Sequence, residues 1–367
     1  SVINVTMDTD VKVLNEVVVT GYGTQERREI TGSVSSINSA DIENLVAPSF
    51  ESQLAGRAPG VQVTTPSGIL GARPIIRIRG VNSLTSSASP LIIIDGVPVV
   101  DDDRSSVNAS NPLANINPAD IQSYEVLKDG SATAIYGSRA ANGVILITTK
   151  SGKSGLSKID FSISTGVQQV EKTLDVLNAT EFAHYINESR NNAWVNSGAG
   201  RSATDPNSAR LNNVMYLLPA SLSNPDSLGE GTNWQREIFR PAYTQNYQFN
   251  ISGGNDKTNY FISAGYLNQQ GIILNSDLKR YSFRMNIESK LRDNVKVGAN
   301  LMPAYTFTNL VTAEGNWQGG GIIQSAITAG PHLKPYDANG NYTKITGQGI
   351  GTSEVDNPVK LAKEGIR

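Results

Sequence analysis

Lys158-Ile159-Asp160-Phe161-Ser162-Ile163-Ser164-Thr165-Gly166-Val167-Gln168 alternates along its whole length. Ile159, Phe161, Ile163, Thr165 and Val167 fall on one side, and Lys158, Asp160, Ser162, Ser164, Gly166 and Gln168 on the other. Successive side chains of a strand point to opposite faces, so the stretch predicts a β-strand with one greasy and one wet face. The pattern returns at Tyr243, Tyr247, Phe249 and Ile251 against Thr244, Asn246, Gln248 and Asn250, and again at Tyr260, Ile262, Ala264 and Tyr266. It is sharpest at Tyr281, Phe283, Met285 and Ile287 against Ser282, Arg284, Asn286 and Glu288, and continues through Val295, Val297, Ala299 and Leu301. About five strands result, each near the roughly nine to eleven residues that a tilted strand needs to cross a bilayer.

The connections are sorted by length. Residues 253–257 and 292–294 read as tight turns, whereas 171–241 and everything after 309 are long. Outer-membrane barrels keep short turns on the periplasmic side and long loops outside. Strand one is therefore expected to rise into the long loop, strand two to descend to the tight turn, strand three to rise through a medium loop near Gly271, and strands four and five to follow in turn. A soluble β-sandwich would share the alternation but has no reason to sort its loops.

Upstream the texture changes. From 27 to 150, short apolar strands at 60–64, 75–79 and 91–94 alternate with loops and short helical turns. A helix is expected at 49–54 with Ser49 as N-cap, and Pro118 follows Asn117 as it does just inside a helix start. Asp95-Gly96 between Leu91-Ile92-Ile93-Ile94 and Val97-Pro98-Val99-Val100 is a strong hairpin signal. This part reads as a small mixed α/β globule.

Composition narrows the function. Hydrophobic residues make up 38 % and charged residues 17 % of the chain, against roughly 45–50 % and about 25 % in an average soluble domain. The formal net charge is -2, with Gly, Ser, Asn and Thr filling the deficit, so neither charge-driven disorder nor a basic nucleic-acid surface is indicated. Cysteine is absent, which removes disulfides, cysteine-zinc sites and thiol nucleophiles. No run of about 18 apolar residues is present, which leaves barrels open as a way to cross a membrane. Val2-Ile3-Asn4-Val5-Thr6-Met7 carries neither an n-region nor an h-region, so a secretory leader is expected to lie outside this chain.

Glu125-Val126-Leu127-Lys128-Asp129-Gly130-Ser131-Ala132-Thr133-Ala134-Ile135-Tyr136-Gly137-Ser138-Arg139-Ala140-Ala141-Asn142-Gly143-Val144-Ile145-Leu146-Ile147-Thr148-Thr149-Lys150 resembles the plug signature of the SusC-like (SusC/RagA-type) TonB-dependent outer-membrane transporters. Segments 14–23, 54–63, 76–80 and 90–98 agree in order, so the resemblance covers about residues 14 to 310. It implies a mixed α/β plug domain followed by antiparallel transmembrane β-barrel strands of a 22-strand parent barrel. Five strands cannot close such a barrel, and an open edge is not tolerated in lipid, so the chain is expected to be an incomplete stretch of a longer protein. The implied division is 1–13 as the tail of a carboxypeptidase-regulatory-like domain, 14–26 as TonB box and linker, 27–152 as plug, and 153–367 as first barrel strands with extracellular loops.

The same resemblance assigns Glu16, Val17, Val18, Val19 and Thr20 to the TonB box, an extended β-branched strand suited to adding to a partner's sheet edge; an internal strand of a preceding domain is the alternative. Arg77, Arg79 and Arg139 are implied to pair with wall carboxylates and hold the plug, with Glu125 as a plug-side partner; solvated edges are the other possibility. Trp194, Trp234 and Trp317 lie in the long loops, placed either to contact solute or to anchor loops. Asp101, Asp102 and Asp103 offer at most a weak Ca2+ site, and solvated turns describe them as well. Implied partners are a SusD-like surface lipoprotein, the TonB-ExbB-ExbD complex, outer-membrane lipid, and an oligosaccharide or peptide substrate.

Enzyme-like signals fail individually. Gly152-Lys153-Ser154 mimics the end of a phosphate loop, but Ile147 stands where its first Gly is required, and a strand follows. His184 and His332 each stand in an expected loop without a second ligand, so no metal centre, catalytic residue or other cofactor is expected. TonB-dependent import is the expected function, with a passive porin or a secreted sugar-binding β-protein or adhesin as alternatives.

Overall fold

The computed structural model describes residues 17–20, 23–26, 33–39, 49–65, 68, 70–72, 74–81, 88–99, 112–309, 311, 321–345 and 356–364. At its start β1 (Val17–Thr20) and β2 (Gly23–Glu26) form a two-stranded antiparallel sheet. A mixed sheet follows, made of β3 (Val34–Asn38), β6 (Leu91–Ile94), β7 (Val97–Pro98), β8 (Ile121–Leu127) and β9 (Val144–Thr149), while β4 (Val61–Thr64) and β5 (Ile75–Ile78) pair separately. The order across the sheet is β3-β8-β9-β6-β7, and only β6 and β9 run parallel. Those two strands read as unbroken aliphatic runs because both of their faces are covered. On one side Ile92, Ile94, Ile145 and Ile147 join a core with Phe50 and Leu54 of α1 (Phe50–Leu54) and with β4 and β5; on the other, Ile93, Val144 and Leu146 pack with Leu127 and Ala140.

Local chemistry explains the joints. Asp95 and Gly96 adopt φ values of 46° and 84°, the left-handed pair that a two-residue hairpin turn requires, and Ile94 accordingly faces Val97. The Asn117 side chain accepts a hydrogen bond from the Ala119 amide at 3.1 Å and caps the short helical turn Pro118–Asp120. Ser49 occupies the N-cap position of α1 in extended conformation, but its hydroxyl meets Ser52 Oγ at 3.2 Å instead of a backbone amide. A short helix, α2 (Gly130–Thr133), precedes β9.

From β10 (Gly155–Gln168) onward the chain builds a wall: β11 (Ala242–Gly254), β12 (Thr258–Gln270), β13 (Asp277–Arg292), β14 (Val295–Leu301) and β15 (Ala304–Asn309). Each strand pairs antiparallel with the next as far as β14, while β15 also lies on β13, beside residues 277–282. β14 and β15 are thus one strand interrupted at Met302-Pro303, where proline lacks the N–H a ladder needs and Pro303 instead accepts from the Phe283 amide at 3.0 Å. Registers align the outward residues in rows. Ile163, Tyr247, Tyr266, Tyr281 and Tyr305 form one level, with Tyr266 and Tyr281 rings 4.9 Å apart. Four residues toward the tight turns lies an aliphatic level, Ile159, Ile251, Ile262, Met285 and Leu301. A tyrosine band on the long-loop side of an aliphatic belt is the girdle arrangement of a membrane barrel.

The long segment read as loop contains ordered helix. Residues 171–241 include α3 (Ala179–Asn196) and α4 (Trp234–Ile238). Asn178 and Glu181 form a reciprocal capping box at the start of α3, the signal that marks this helix in the sequence. The helix has only a weak apolar stripe, with Ala179, Ala183 and Trp194 buried, so periodicity did not reveal it. With α5 (Ile322–Thr328) and α6 (Pro358–Glu364), α4 encloses a separate loop core built on Trp234, Ile238, Ile322, Val359 and Leu361.

Candidate functional site: the contact between plug and wall

The inner, wet face of the wall receives the loop ends of the mixed sheet. Gln248 of β11, Arg280, Ser282 and Arg284 of β13, and Asn300 of β14 point inward from alternate positions. Arg284 is 1 % exposed, the largest fully buried side chain among the described residues. Its guanidinium donates to the Asp120 carbonyl at 3.1 Å and to Thr149 Oγ1, stands 3.6 Å from Asp95 Oδ2, and lies over the Phe261 ring at 5.7 Å. Asp95 also accepts from the Thr149 amide and from Asn300 Nδ2, each at 2.9 Å. One wall arginine thereby ties together the ends of β6 and β9 and the start of β8. Arg280 donates to the carbonyl oxygens of Ala114 at 2.8 Å and Ile116 at 3.4 Å.

Beside this pair, Asn117 inserts into the wall. Its amide donates to Gln248 Oε1 at 2.7 Å and to Ser282 Oγ at 3.2 Å, and Gln248 returns a bond to Asp120 Oδ1 at 3.4 Å. Gly265 makes the space: a Cβ there would lie 2.6 Å from Asn117 Nδ2 and 2.7 Å from Gln248 Oε1. Burial pushes the Asp120 carboxyl above its ordinary value, against the pull of Arg284, Lys150 and Arg280. Buried ionic contacts of this kind fix position more reliably than they add stability, which suits a joint that holds a body in place.

Four plug residues, Arg77, Arg79, Arg139 and Glu125, are the ones expected to hold the plug against wall carboxylates. Arg79 pairs with Asp129, a residue of its own domain, and Asp129 also accepts from the Ser33 amide at 2.5 Å. That backbone bond, with Arg79 beside it, holds the Asp129 carboxyl below its usual range. Arg77 is half-buried on β5, Arg139 is exposed, and Glu125 is buried, accepting from Ser123 Oγ at 2.7 Å while burial raises its pKa. At the described contact the wall supplies the cations and the plug the carboxylates and carbonyls. Arg284 and Gln248 were visible as members of the wet face, but nothing in the alternation marks which wet positions meet the plug.

Trp194 and Trp234 are hydrogen-bonded into the structure around them. Trp194 lies on α3, its indole N–H donating to Asp205 at 2.9 Å with Arg201 stacked 4.1 Å from the ring, and Trp234 donates to the Gly330 carbonyl at 3.1 Å. Both are buried, and Trp234 also lines a cavity of about 530 Å³ together with Leu177, Phe182 and Pro331. His184 also lies on α3, not in a loop, with Nε2 3.0 Å from Asp226, and His332 stacks on Phe182 with its pKa lowered by burial. Val17–Thr20 is the strand β1. Glu16, Trp317, Asp101, Asp102 and Asp103 fall outside the described residues.

Residues 26–144 match the family model of the TonB-dependent Receptor Plug Domain. TonB-dependent receptor P3 of Formosa agariphila is 37 % identical over 99 % of this chain, and TonB-dependent receptor SusC of Bacteroides thetaiotaomicron is 36 % identical over 81 % of it. The chain belongs to the SusC-like TonB-dependent receptors. A solved RagAB peptide importer in its open-open state superposes with a TM-score of 0.73 at 29 % identity, covering 94 % of this chain and 38 % of that one. The chain spans 32 % of the length of the P3 receptor and 27 % of SusC. It is therefore the SusC-like plug with the first part of an incomplete barrel wall, seated in the outer membrane with the plug toward the periplasm, as the loop lengths and the tyrosine band orient it.

Proposed function

We propose that the whole protein imports a nutrient, an oligosaccharide or a peptide, across the outer membrane in a TonB-dependent manner, with the plug as gate. The observation that carries this reading is the seating of the plug on the inner face of a membrane wall through Arg284 and Asn117. A joint of exchangeable polar contacts holds a body that can be moved, whereas a passive pore has no use for one. In this reading residues 14–26 form the TonB box and its linker, 27–152 the gate, 153–367 the first wall strands and outer loops, and 1–13 the end of a preceding domain. Glu16 to Thr20 engage TonB, energised by ExbB and ExbD, and a SusD-like lipoprotein covers the outer mouth. Similarity to a peptide importer supports the peptide class, and the oligosaccharide follows from the resemblance to the SusC-like family. The role is transport, with no catalytic step assigned to the chain.

The test is Val18→Pro in the full-length protein. Proline removes a main-chain donor that an added strand needs. Uptake of labelled oligosaccharides and peptides is expected to fall to background while barrel assembly, read by heat-modifiable migration, stays normal. Undiminished uptake would overturn the TonB-box assignment.

A further inference from the structure

Three segments of the outer loops meet at a cavity of about 530 Å³ that takes no part in the contact between plug and wall. One side is the stretch 175–177 with the first turn of α3, the second is the approach to α4 at Thr232 and Trp234, and the third is the end of α5 with Pro331. Each side is fixed by bonds of its own. The Gln235 side chain accepts from the Leu174 amide at 3.0 Å and donates to the Leu174 carbonyl at 2.8 Å, which straps the first stretch to α4. The Thr232 amide donates to the Pro331 carbonyl at 2.8 Å, and the Ala179 amide to the Glu230 carbonyl at 3.0 Å. Gly231 is required between them, since a Cβ there would lie 2.3 Å from the Pro331 carbonyl oxygen and 2.5 Å from the Ala179 Cβ. The cavity is thus a preformed space, and its volume falls within the roughly 300–1,000 Å³ of small-ligand sites.

Its lining selects a class of ligand. Val176, Leu177, Phe182, Ala326, Ile327 and Ala329 make most of it apolar. The neutral polar groups beside them are largely committed: Thr328 Oγ1 donates to the Gln324 carbonyl at 2.8 Å, and the Trp234 N–H to that of Gly330. A sugar ring brings a hydroxyl on nearly every carbon, and those set against the aliphatic groups would lose water without gaining a partner. An apolar side chain has no such cost and gains by leaving water. The charge of the lining has one sign. Asp175 and Glu181 are exposed carboxylates, and no lysine, arginine or histidine lines the cavity among the described residues. Glu181 commits only Oε2, to the Asn178 amide at 3.0 Å, and Asp175 has no partner among the described residues.

We propose that this cavity binds a short stretch of substrate peptide, taking an apolar side chain against Leu177 and Phe182 and pairing a neighbouring lysine or arginine with Asp175 and Glu181. The inference rests on the import reading and deepens it, by choosing the peptide class and stating which peptides are preferred.

The test uses the full-length transporter in detergent and two pools of N-acetylated tetrapeptides, one alternating leucine or phenylalanine with lysine, the other alternating them with glutamate. Dissociation constants are measured by equilibrium dialysis. The lysine pool is expected to bind about tenfold more tightly, since each exposed ion pair contributes modestly and two carboxylates act together. Asp175→Asn with Glu181→Gln removes the charges and keeps the capping box, which Gln also completes, and is expected to shrink the preference to within about twofold. Thr328→Trp, at an exposed position of the lining, fills the cavity and is expected to abolish binding of both pools. Equal binding of the two pools by the unsubstituted protein, a lysine preference that survives the double substitution, or full binding by the Thr328→Trp form overturns the proposal. So does a cavity that belongs to other protein segments, in which case neither pool binds and Thr328→Trp impairs assembly instead. Uptake abolished by Val18→Pro without any such peptide preference would sink the pocket and leave import standing; a lysine preference with uptake untouched by Val18→Pro would do the reverse.

Discussion

In the plug, Ile145 and Tyr124 are fully buried between the two layers that cover the sheet, while the wall stands Ile159 66 % and Phe161 63 % exposed and buries Arg284. Both regions are built from the same alternation of side chains across a strand, and they differ in which face meets the like-natured neighbour. The plug is folded by water, with its aliphatic residues turned inward. The wall is folded for lipid, so its greasy face is its outer one and its polar face becomes an interior once the plug arrives. A wet face is therefore a statement about a neighbour, which in this chain is another part of the same protein.

Removing the neighbour's anchor breaks the comparison most directly. Arg284→Leu removes the charge-assisted bonds to the Asp120 carbonyl and to Thr149, at roughly 1.5–3 kcal/mol each, together with the 3.6 Å contact to Asp95. The plug is expected to become protease-sensitive in an intact barrel and to pass ion current in planar bilayers; a silent, protected variant would show that the anchor lies elsewhere. The two faces of one strand give the next effect. Phe161→Arg places a charge in lipid, at about 2–4 kcal/mol near the midplane, whereas Ser162→Arg on the wet side is expected to change refolding into vesicles far less. Equal effects would mean that the assigned faces are wrong. Gly265→Leu fills the space into which Asn117 fits, with about 1–3 kcal/mol of overpacking, and is expected to loosen the plug while leaving the strand ladder intact by infrared spectroscopy.

The smallest effect belongs to pH and distinguishes an internal plug contact from a plug-to-wall one. Asp129 is held below its ordinary value of 3.8, so its contribution is fully present above that value and is lost as pH falls through the lowered one. Asp129→Asn is expected to abolish the part of the acid sensitivity that resides in the Ser33 and Arg79 ties, measured by peptic cleavage near β3 as pH falls below about 4. An unchanged acid profile would remove these ties from the account.

How much could be read from residue order follows from the range of the interactions. Strand phase and turn length are local properties, and the wall strands and the Asp95-Gly96 hairpin were legible with their faces correct. The capping of residues 118–120 by Asn117 was equally local, but its second use, insertion beside Gln248, spans 131 positions and leaves no trace in spacing. Arg284 meets Thr149 across 135 positions, a contact that spacing cannot show for the same reason. The helix α3 escaped because its exposed surface carries little apolar periodicity, although its capping box stood in plain view at Asn178 and Glu181. For Trp194 and Trp234 the sequence leaves solute contact and loop anchoring equally open, and the helices that bury them are the missing information.

β9 ends at Thr149 and β10 begins at Gly155, leaving five residues between the middle of the plug sheet and the first strand of the wall. Fully stretched, that leash reaches about 17 Å. The plug therefore cannot be ejected as a free body, and whatever opens the passage must swing or unravel it around a pivot set at its own central strand.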